Sequence, residues 1–202
     1  MCSSDLVAAM AQGLTISGRL TGGATGAGVA SFVKSGAGTL VLTNSGNTFG
    51  GSGSVIDVQQ GVLSVGADAP LGDAANVVKL NPATGTATLR ATETFTLNHA
   101  VALAGTANTR AIEVSPGKTL TLGGSFQLDG GSGAYANLVK ADLGTLTFAA
   151  GVTNASWAGT LTVNSGVVLL QSGGSLGSAA VVIPSTVNNQ AIQLSEIGRA
   201  HV

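Results

Sequence analysis

The chain has 202 residues, of which 8% are charged and 44% are hydrophobic, a balance that excludes a disordered linker, because disorder needs less hydrophobicity and more charge. Eight basic residues against nine acidic ones form no basic run, which excludes a basic surface for nucleic acid or anionic lipid. The apolar residues come in short pieces, and none approaches the roughly 18 residues that cross a bilayer.

Short alternating runs closed by Gly, Asn or Ser follow one another along the chain, a pattern typical of strands and turns. Twelve strands are predicted, at residues 38–43, 54–58, 61–65, 77–80, 87–91, 94–97, 111–114, 119–122, 144–148, 160–163, 167–170 and 180–183. Helix evidence is limited to residues 7–13, enough for a turn or two. Only Asp129 with Gly130 suits a tight hairpin, so stacked parallel strands are favoured over an antiparallel sandwich or barrel.

One stretch of the sequence occurs twice, at residues 32–43 and again at 138–148. Positions further along the two copies stay in register, because Val58 corresponds to Val163 and Leu71 to Leu176 at the same offset. We therefore place repeat copies near residues 32–80 and 138–183. A register kept over this length predicts a solenoid of stacked coils. At about 21 residues per coil, residues 7–195 would form about nine coils, with about five between the copies.

The two ends of the sequence match each other through the genetic code. Residues 196–201 can be encoded by GAG ATC GGA AGA GCA CAC, and the reverse complement encodes residues 1–6 with GTG as the start codon. These nucleotides resemble a common short-read sequencing adapter. We expect residues 1–6 and 196–202 to be translated adapter and residues 7–195 to be an internal fragment of a longer reading frame. Without these tails the chain has no cysteine and one histidine, His99, which excludes thiol nucleophiles, disulfides and Cys/His metal sites.

The first copy has a characteristic order of segments: Lys-Ser-Gly-Ala-Gly-Thr from residue 34, Asn-Thr-Phe-Gly-Gly from 47, Val-Gln-Gln-Gly-Val-Leu from 58 and Leu-Gly from 71. The second copy, at 140–177, is more degenerate, with Leu143 replacing the middle alanine and Trp157 at the aromatic position. This order resembles the autotransporter-associated β-strand repeat of Gram-negative passenger domains, over roughly residues 32–183. The resemblance implies a right-handed parallel β-helix that is secreted across the inner membrane and passed through a C-terminal outer-membrane β-barrel.

Two motifs point towards ligands, but each lacks a required residue. Gly117, Lys118 and Thr119 match the end of a phosphate-binding loop, yet the glycine required five positions before Gly117 is Ile112. Residues 50–53 and 130–133 begin like calcium-binding nonapeptides, but the positions that need Asp hold Val55 and Tyr135. Neither motif therefore predicts a binding site.

A polysaccharide-cleaving β-helix would need clustered carboxylates and cations. Asp68 and Asp73 lie five residues apart in a predicted turn, and a denser set of charges consists of Arg90, Glu93, Arg110 and Glu113. In that set the two arginines have the same spacing as the two glutamates, close to one predicted coil, so like residues could stack one coil above the other. Ladder pairing of opposite charges is the interpretation favoured over catalysis.

Two further patterns have ordinary structural explanations. A serine triad would combine His99 with a carboxylate such as Glu93, but no Gly-x-Ser-x-Gly motif joins a strand to a helix, so His99 is predicted at a corner or on the surface. Thr-x-Thr pairs begin at residues 86, 94, 119, 145 and 160, as in the flat threonine arrays of ice-binding solenoids. Spacings of 8, 25, 26 and 15 do not keep one period, which predicts ordinary strand preference.

These observations predict an all-β protein with no catalytic, cofactor-binding or metal-binding residues. The resemblance implies a structural stalk segment of a surface-displayed passenger, extracellular and tethered to the outer membrane, with an additional adhesin role. Its partners would be the β-barrel of the same full-length chain and a host or bacterial surface ligand. The alternatives are a fragment of a polysaccharide-acting β-helix enzyme and a non-catalytic, surface-binding solenoid.

Overall fold

A computed structural model describes residues 12–128, 135–184 and 190–194 of the chain. The predicted adapter tails, most of the segment 7–13 and the turn at Asp129 and Gly130 lie outside the described residues. The predicted solenoid is confirmed, because the strands stack in parallel as a β-solenoid of about 7 turns. Every strand pair recorded in the described part of the chain is parallel.

The strands form three main sheets that run along the solenoid. Sheet 1 contains, in spatial order, β1 (Leu14–Ile16), β4 (Thr39–Leu42), β7 (Gly61–Val65), β9 (Thr86–Ala91), β12 (Thr109–Val114), β15 (Leu138–Ala141), β17 (Thr160–Val163) and β19 (Ala180–Val182). Sheet 2 contains β10 (Phe95–Leu97), β13 (Thr119–Leu122), β16 (Thr145–Phe148), β18 (Gly166–Leu170) and β20 (Gln190–Leu194).

Sheet 3 contains, from one end of the solenoid to the other, β3 (Ala30–Lys34), β6 (Val55–Val58), β8 (Val77–Leu80), β11 (Ala100–Leu103) and β14 (Gln127–Leu128). A two-stranded sheet pairs β2 (Thr21–Gly22) with β5 (Thr48–Phe49). A single 3₁₀ turn at Ala69–Leu71 follows β7. Over the described residues, no helix has the length and apolarity needed to cross a bilayer.

The coil length explains why the solenoid has about 7 turns and not nine. On sheet 1 the shortest step from one coil to the next joins Leu161 to Val181, and the longest joins Ile112 to Lys140. The predicted coil length is near the short end of this range, so the same chain makes fewer coils. At roughly 4.8 Å per coil, seven turns make a rod about 34 Å long.

All twelve predicted strands are present, with ends that differ by at most two residues. Several further strands were not predicted, including β3, β11 and β15. The strand β11 reads Ala-Val-Ala-Leu, which has no polar alternation, while β3 and β15 end near Lys34 and Lys140, which read as turn residues.

The core consists of ladders in which equivalent apolar residues stack from coil to coil. On sheet 1, Leu40 pairs with Leu63, Leu63 with Leu89, and Leu89 with Ile112, and all four are fully buried. The neighbouring outward row contains Val41, Ser64, Arg90 and Glu113. Burial of a Leu or Ile side chain contributes about 1.5–3 kcal/mol, so these internal ladders are the main source of stability.

The two repeat copies lie on different sides of the solenoid. In the first copy β3 and β4 belong to sheets 3 and 1, whereas the corresponding β15 and β16 belong to sheets 1 and 2. Four pairings along sheet 1 lead from Leu40 to Lys140, and Lys34 lies one corner before Leu40. The copies are therefore separated by four coils and one further side, not by the predicted five coils.

Candidate functional site

The repeat begins with a lysine that points into the solenoid. Lys34 stands in the same row as Val58, Leu80 and Leu103, and Lys140 stands in the same row as Ile112. Lys34 is 1% exposed and Lys140 is fully buried. The aliphatic parts of both side chains thus fill places in the apolar ladders, and we call these two residues the corner lysines.

The ammonium group of Lys34 is held by backbone carbonyls at a corner. Its Nζ donates to Ser35 O at 3.0 Å and to Gly36 O at 2.7 Å, both in the turn that follows β3. It also donates to Gln60 O at 3.0 Å, which belongs to the next coil. One side chain therefore uses its three N–H donors to join two turns.

Lys140 repeats this arrangement at a different corner. Its Nζ donates to Ala141 O at 2.7 Å and Asp142 O at 2.6 Å in its own turn, and to Ser165 O at 3.3 Å in the next coil. No carboxylate forms an ion pair with either corner lysine within the described ranges. Because the contacts match although the sheets differ, the lysine arrangement is a property of the corner and not of one sheet.

A glycine of the next coil closes each corner. Gly61 follows Gln60 with φ of 71°, and Gly166 follows Ser165 with φ of 73°. A Cβ at Gly61 would come closer than 3.0 Å to the carbonyl oxygens of Gly36 and Gly38. A Cβ at Gly166 would likewise approach the carbonyl oxygens of Asp142 and Gly144. Glycine is required at both positions by the backbone conformation and by the close approach of the coil below.

A buried asparagine in each copy joins three successive coils. Asn47 accepts a hydrogen bond from Leu20 N at 2.8 Å and donates to Pro70 O at 2.7 Å. Asn154 accepts from Phe126 N at 2.7 Å and donates to Ser175 O at 3.2 Å. In both copies the amide oxygen bonds the preceding coil and the amide nitrogen bonds the following one.

The aromatic residue of each copy packs beneath a glycine of the next coil. The carbonyl of Phe49 accepts from Asp73 N at 3.1 Å, and that of Trp157 accepts from Ser178 N at 3.0 Å. These donors directly follow Gly72 and Gly177, which have φ of 86° and 67°. The Leu-Gly pairs recognised in the sequence thus lie directly over the aromatic position.

These contacts have a counterpart among known protein families. The model of the passenger-associated-transport-repeat matches the chain twice, at residues 32–65 and 138–170. The chain carries two passenger-associated-transport repeats. Together with the solenoid fold, they support a structural segment of an autotransporter passenger. Searches of curated proteins and of solved structures gave no significant match.

Within each passenger-associated-transport repeat, the matched residues include the corner lysine, the asparagine and the aromatic residue. In the sequence, Lys34 and Lys140 stand out only as landmarks of the repeat. The signal for their burial lies in strand alternation, because Phe32 points inwards, Val33 outwards and Lys34 inwards again. The repeat therefore encodes contacts between coils.

Arg110 is a third buried cation, and it lies outside both repeats. Its guanidinium donates to the carbonyls of Ala104 at 2.6 Å, Ala107 at 2.9 Å and Asn108 at 3.2 Å, all in the turn before β12. The corner between sheets 3 and 1 is therefore closed by a cation at Lys34 and again, three coils later, at Arg110. The prediction that Arg110 joins a ladder of opposite charges is wrong.

The other charges predicted to stack do form pairs, but in a different register. Arg90 Nε contacts Glu113 Oε2 at 2.6 Å, because Arg90 and Glu113 are direct neighbours on β9 and β12. Lys118 Nζ contacts Glu93 Oε2 at 2.5 Å. Glu93 therefore does not lie under Glu113, because the coil here is longer than the spacing of the two glutamates.

His99 is buried at a corner, as one of the two predicted placements had it, and it contacts Asp68 and not Glu93. His99 Nδ1 lies 2.7 Å from Asp68 Oδ1, and His99 Nε2 lies 3.0 Å from Asp73 O. Because Nε2 faces a carbonyl oxygen, it is not free to accept a proton from a serine. The contact between residues 68 and 99 was not visible in the sequence.

The threonine pairs that begin at residues 94, 119 and 145 stack on sheet 2, because their spacings of 25 and 26 are coil lengths. Thr96 pairs with Thr121 and Thr121 with Thr147. The pairs that begin at residues 86 and 160 lie on β9 and β17 of sheet 1 instead, so the five pairs do not share one face. Thr147 is nevertheless buried, and its hydroxyl has no hydrogen-bond partner in the described structure, so the row is not a uniformly exposed array.

A groove of about 500 Å³ runs along the outer face of sheet 3. Its floor includes Val55, Val77 and Ala100, which are neighbours in one row. Lys79 and Asn98 are among the polar residues that line it. Over the described residues, no group of three or more His, Cys, Asp or Glu side chains is placed to hold a metal ion.

Burial lowers the pKa of Lys140 to about 8, while the carboxylates of Asp142 and Glu113 oppose part of this change. Burial also lowers the pKa of Lys34. Lys140 therefore loses its proton at a lower pH in the folded chain than in the unfolded chain. Between about pH 8 and 10.5, the unfolded chain binds more protons, so stability from this group rises with pH.

We expect the difference in unfolding free energy between the parent and Lys140→Met to shift in favour of the parent by on the order of 3 kcal/mol from pH 7.5 to 10.5. Urea unfolding at several pH values measures this difference. Arg90→Met is the control, because it removes a cation from the same sheet that is partly exposed and paired with Glu113. A pH-independent difference for Lys140→Met would show that the ammonium is not held in a desolvated site.

Proposed function

We propose that this chain is a rigid stalk segment of a secreted autotransporter passenger. In this proposal it is displayed on the bacterial cell surface and tethered to the outer membrane through a C-terminal β-barrel of the full-length chain. The passenger-associated-transport repeats and the parallel solenoid support the proposal.

The observation that carries the proposal is the set of contacts shared by the two repeats. In each, a lysine joins two turns and an asparagine joins three coils, although the two repeats lie on different sides of the rod. Hydrogen bonds that cross from coil to coil resist bending and fraying of a stack whose units contact only their neighbours. The repeats therefore stiffen the rod. Such stiffness suits a stalk that holds a distal domain of the passenger away from the membrane.

A structural role is also favoured over glycan cleavage by the state of the carboxylates. Glu113 is paired with Arg90, Glu93 with Lys118 and Asp68 with His99. A glycosidase needs two carboxylates that face one substrate across a cleft. The groove on sheet 3 is lined by none of these three acids.

An additional adhesin role is the finer part of the proposal, and the groove on sheet 3 is the observation that favours it. Its apolar floor and polar rim are features of ligand-binding clefts. The ligand in this proposal is a molecule of a host or bacterial surface.

The test places the full 202-residue chain between an N-terminal epitope and an autotransporter β-barrel in a Gram-negative host. We expect antibody and external protease to reach the epitope on intact cells, and a double variant, Gly61→Ala with Gly166→Ala, to reduce folded, protease-resistant chain at the surface several-fold. Gly117→Ala is the matched control. An epitope retained inside the cell, or equal protease resistance in all three chains, would contradict the stalk proposal. Adhesion of the same cells beyond that of cells carrying the barrel alone tests the adhesin role separately.

A further inference from the structure

His99 is buried between two hydrogen-bond acceptors of the preceding coil. Its side chain is 2% exposed, with Nδ1 at 2.7 Å from Asp68 Oδ1 and Nε2 at 3.0 Å from the backbone oxygen of Asp73. A neutral imidazole carries one N–H and one lone pair, whereas an imidazolium carries two N–H groups. The hydrogen-bond partners of the two ring nitrogens therefore determine whether the neutral imidazole or the imidazolium fits this site.

Asp68 can only accept at this site. Its Oδ1 receives the backbone N–H of Asn98 at 2.9 Å and that of His99 at 3.3 Å, besides facing the ring. Its Oδ2 faces the amide nitrogen of Asn98 at 3.4 Å. Burial alone would raise the pKa of Asp68, but the hydrogen bonds from His99 and Asn98 and the charge of His99 bring the pKa below its ordinary value. The carboxyl group is thus ionised.

The second acceptor, the backbone oxygen of Asp73, requires a proton on His99 Nε2. A backbone carbonyl has lone pairs and no proton, so Asp73 O requires an N–H at His99 Nε2. If only one ring nitrogen carried a proton, the lone pair of the other would face the lone pairs of an oxygen. The contact would be repulsive, and the corner excludes the water that could relieve it. An unsatisfied buried polar contact of this kind destabilises the fold, because the group has lost its water without gaining a partner.

We propose that His99 is held as an imidazolium and acts as a pH-sensitive clasp, joining the segment 68–73 to the coil that begins at Asn98. The clasp consists of Asp68, Asp73, Asn98 and His99. It is closed while the ring carries both protons and Asp68 is ionised. It loses one hydrogen bond when the pH rises enough to remove a ring proton, and its ion pair when the pH falls enough to protonate Asp68.

The charged groups that face the ring come from the preceding coil. Asp68 contacts it directly, and Asp73 contacts it through its backbone oxygen while its own carboxylate accepts from Ala75 N at 2.9 Å. In the described part of the chain, no other charged side chain is paired with the ring. The pH response of the clasp therefore depends on one ring and one carboxylate.

The clasp also borders the groove on sheet 3. Asn98 of the clasp and Ala74, directly after Asp73, both line the groove. Opening the clasp would free the segment 68–73 from the coil at Asn98 and so loosen one edge of the groove. A change in pH would thus change how well ordered the contact between these two coils is.

The experiment uses the full chain with ¹⁵N-labelled histidine and the substitution His201→Gln, which leaves His99 as its one histidine. We expect both ring nitrogens to show imidazolium ¹⁵N shifts at pH 6. The pH is then raised, and the hydrogen-exchange protection factors of the Asn98 and His99 amides, which both bond Asp68, should fall about tenfold as the ring loses its proton.

Two variants separate the clasp from a general loss of stability. His99→Gln should abolish the pH dependence of these two protection factors, while Glu93→Gln, which removes an exposed carboxylate in the same coil, should leave it as in the parent. A neutral ring at pH 6 would overturn the proposal. So would unchanged protection of Asn98 and His99 after the ring has lost its proton, or the same pH dependence in His99→Gln.

Discussion

Gly166→Ala is expected to destabilise the chain by about 3–5 kcal/mol, because the added methyl group meets the backbone of the coil below while φ remains positive. The Cβ would lie too close to the carbonyl oxygens of Asp142 and Gly144, which are held in place by the turn that binds Lys140. Relief requires the two coils to separate at this corner. Such a separation would also lengthen the bond from Lys140 to Ser165.

Gly117→Ala is the matched control, since Gly117 has φ of 73°, as Gly166 does, but no atom lies within 4 Å of the place that an added Cβ would take. We expect it to cost only about 1–2 kcal/mol, the cost of the left-handed conformation. Chemical unfolding of both variants, monitored by circular dichroism, gives the comparison. Equal costs would mean that the close approach of the coils does not restrict this corner.

Trp157→Ala is the second large effect, with an expected cost of about 3–5 kcal/mol. The indole is fully buried, packs edge-on against Phe126 with ring centres 5.3 Å apart, and donates from Nε1 to Ala136 O at 2.7 Å. Removing it leaves a cavity in a narrow core and an unpaired carbonyl. Unfolding of the variant in urea measures the loss.

Trp157→Phe separates the two parts of this effect. It keeps most of the ring packing but removes the hydrogen bond to Ala136, so about 1–2 kcal/mol should be lost. Phe49→Leu in the first repeat tests whether the aromatic position matters equally in both copies, since Phe49 packs at 5.9 Å from Phe32. If Trp157→Ala cost no more than Trp157→Phe, the aromatic position would not support the core.

The sequence was sufficient to predict the solenoid and the positions of most strands, because alternation and turn glycines are local signals. It was not sufficient for the register between coils. Coil lengths vary along the rod, so the pairing of Arg90 with Glu113, or of Asp68 with His99, depends on loop lengths that no local pattern encodes. The error at Arg110 has the same origin.

The corner lysines show a different limit. Lysine ordinarily signals a solvated position, and its role at Lys34 and Lys140 depends on three carbonyl oxygens that converge only when two coils are stacked. The repeated sequence marked both positions without explaining them. Strand alternation would have placed both side chains inside the rod, and the absence of a paired acid would then have pointed to backbone acceptors.

The placement of the repeats on different sides of the rod has a consequence for avidity. Two copies of a segment on one side could engage a flat, repetitive surface together, and their combined binding would exceed that of either copy. Here β3 of the first copy lies on sheet 3 and β15 of the second lies on sheet 1, so equivalent outer surfaces face different directions. A single flat target could not contact both at once. Duplication of the repeat in this chain therefore adds contacts between coils, but it does not add binding surfaces that face the same target.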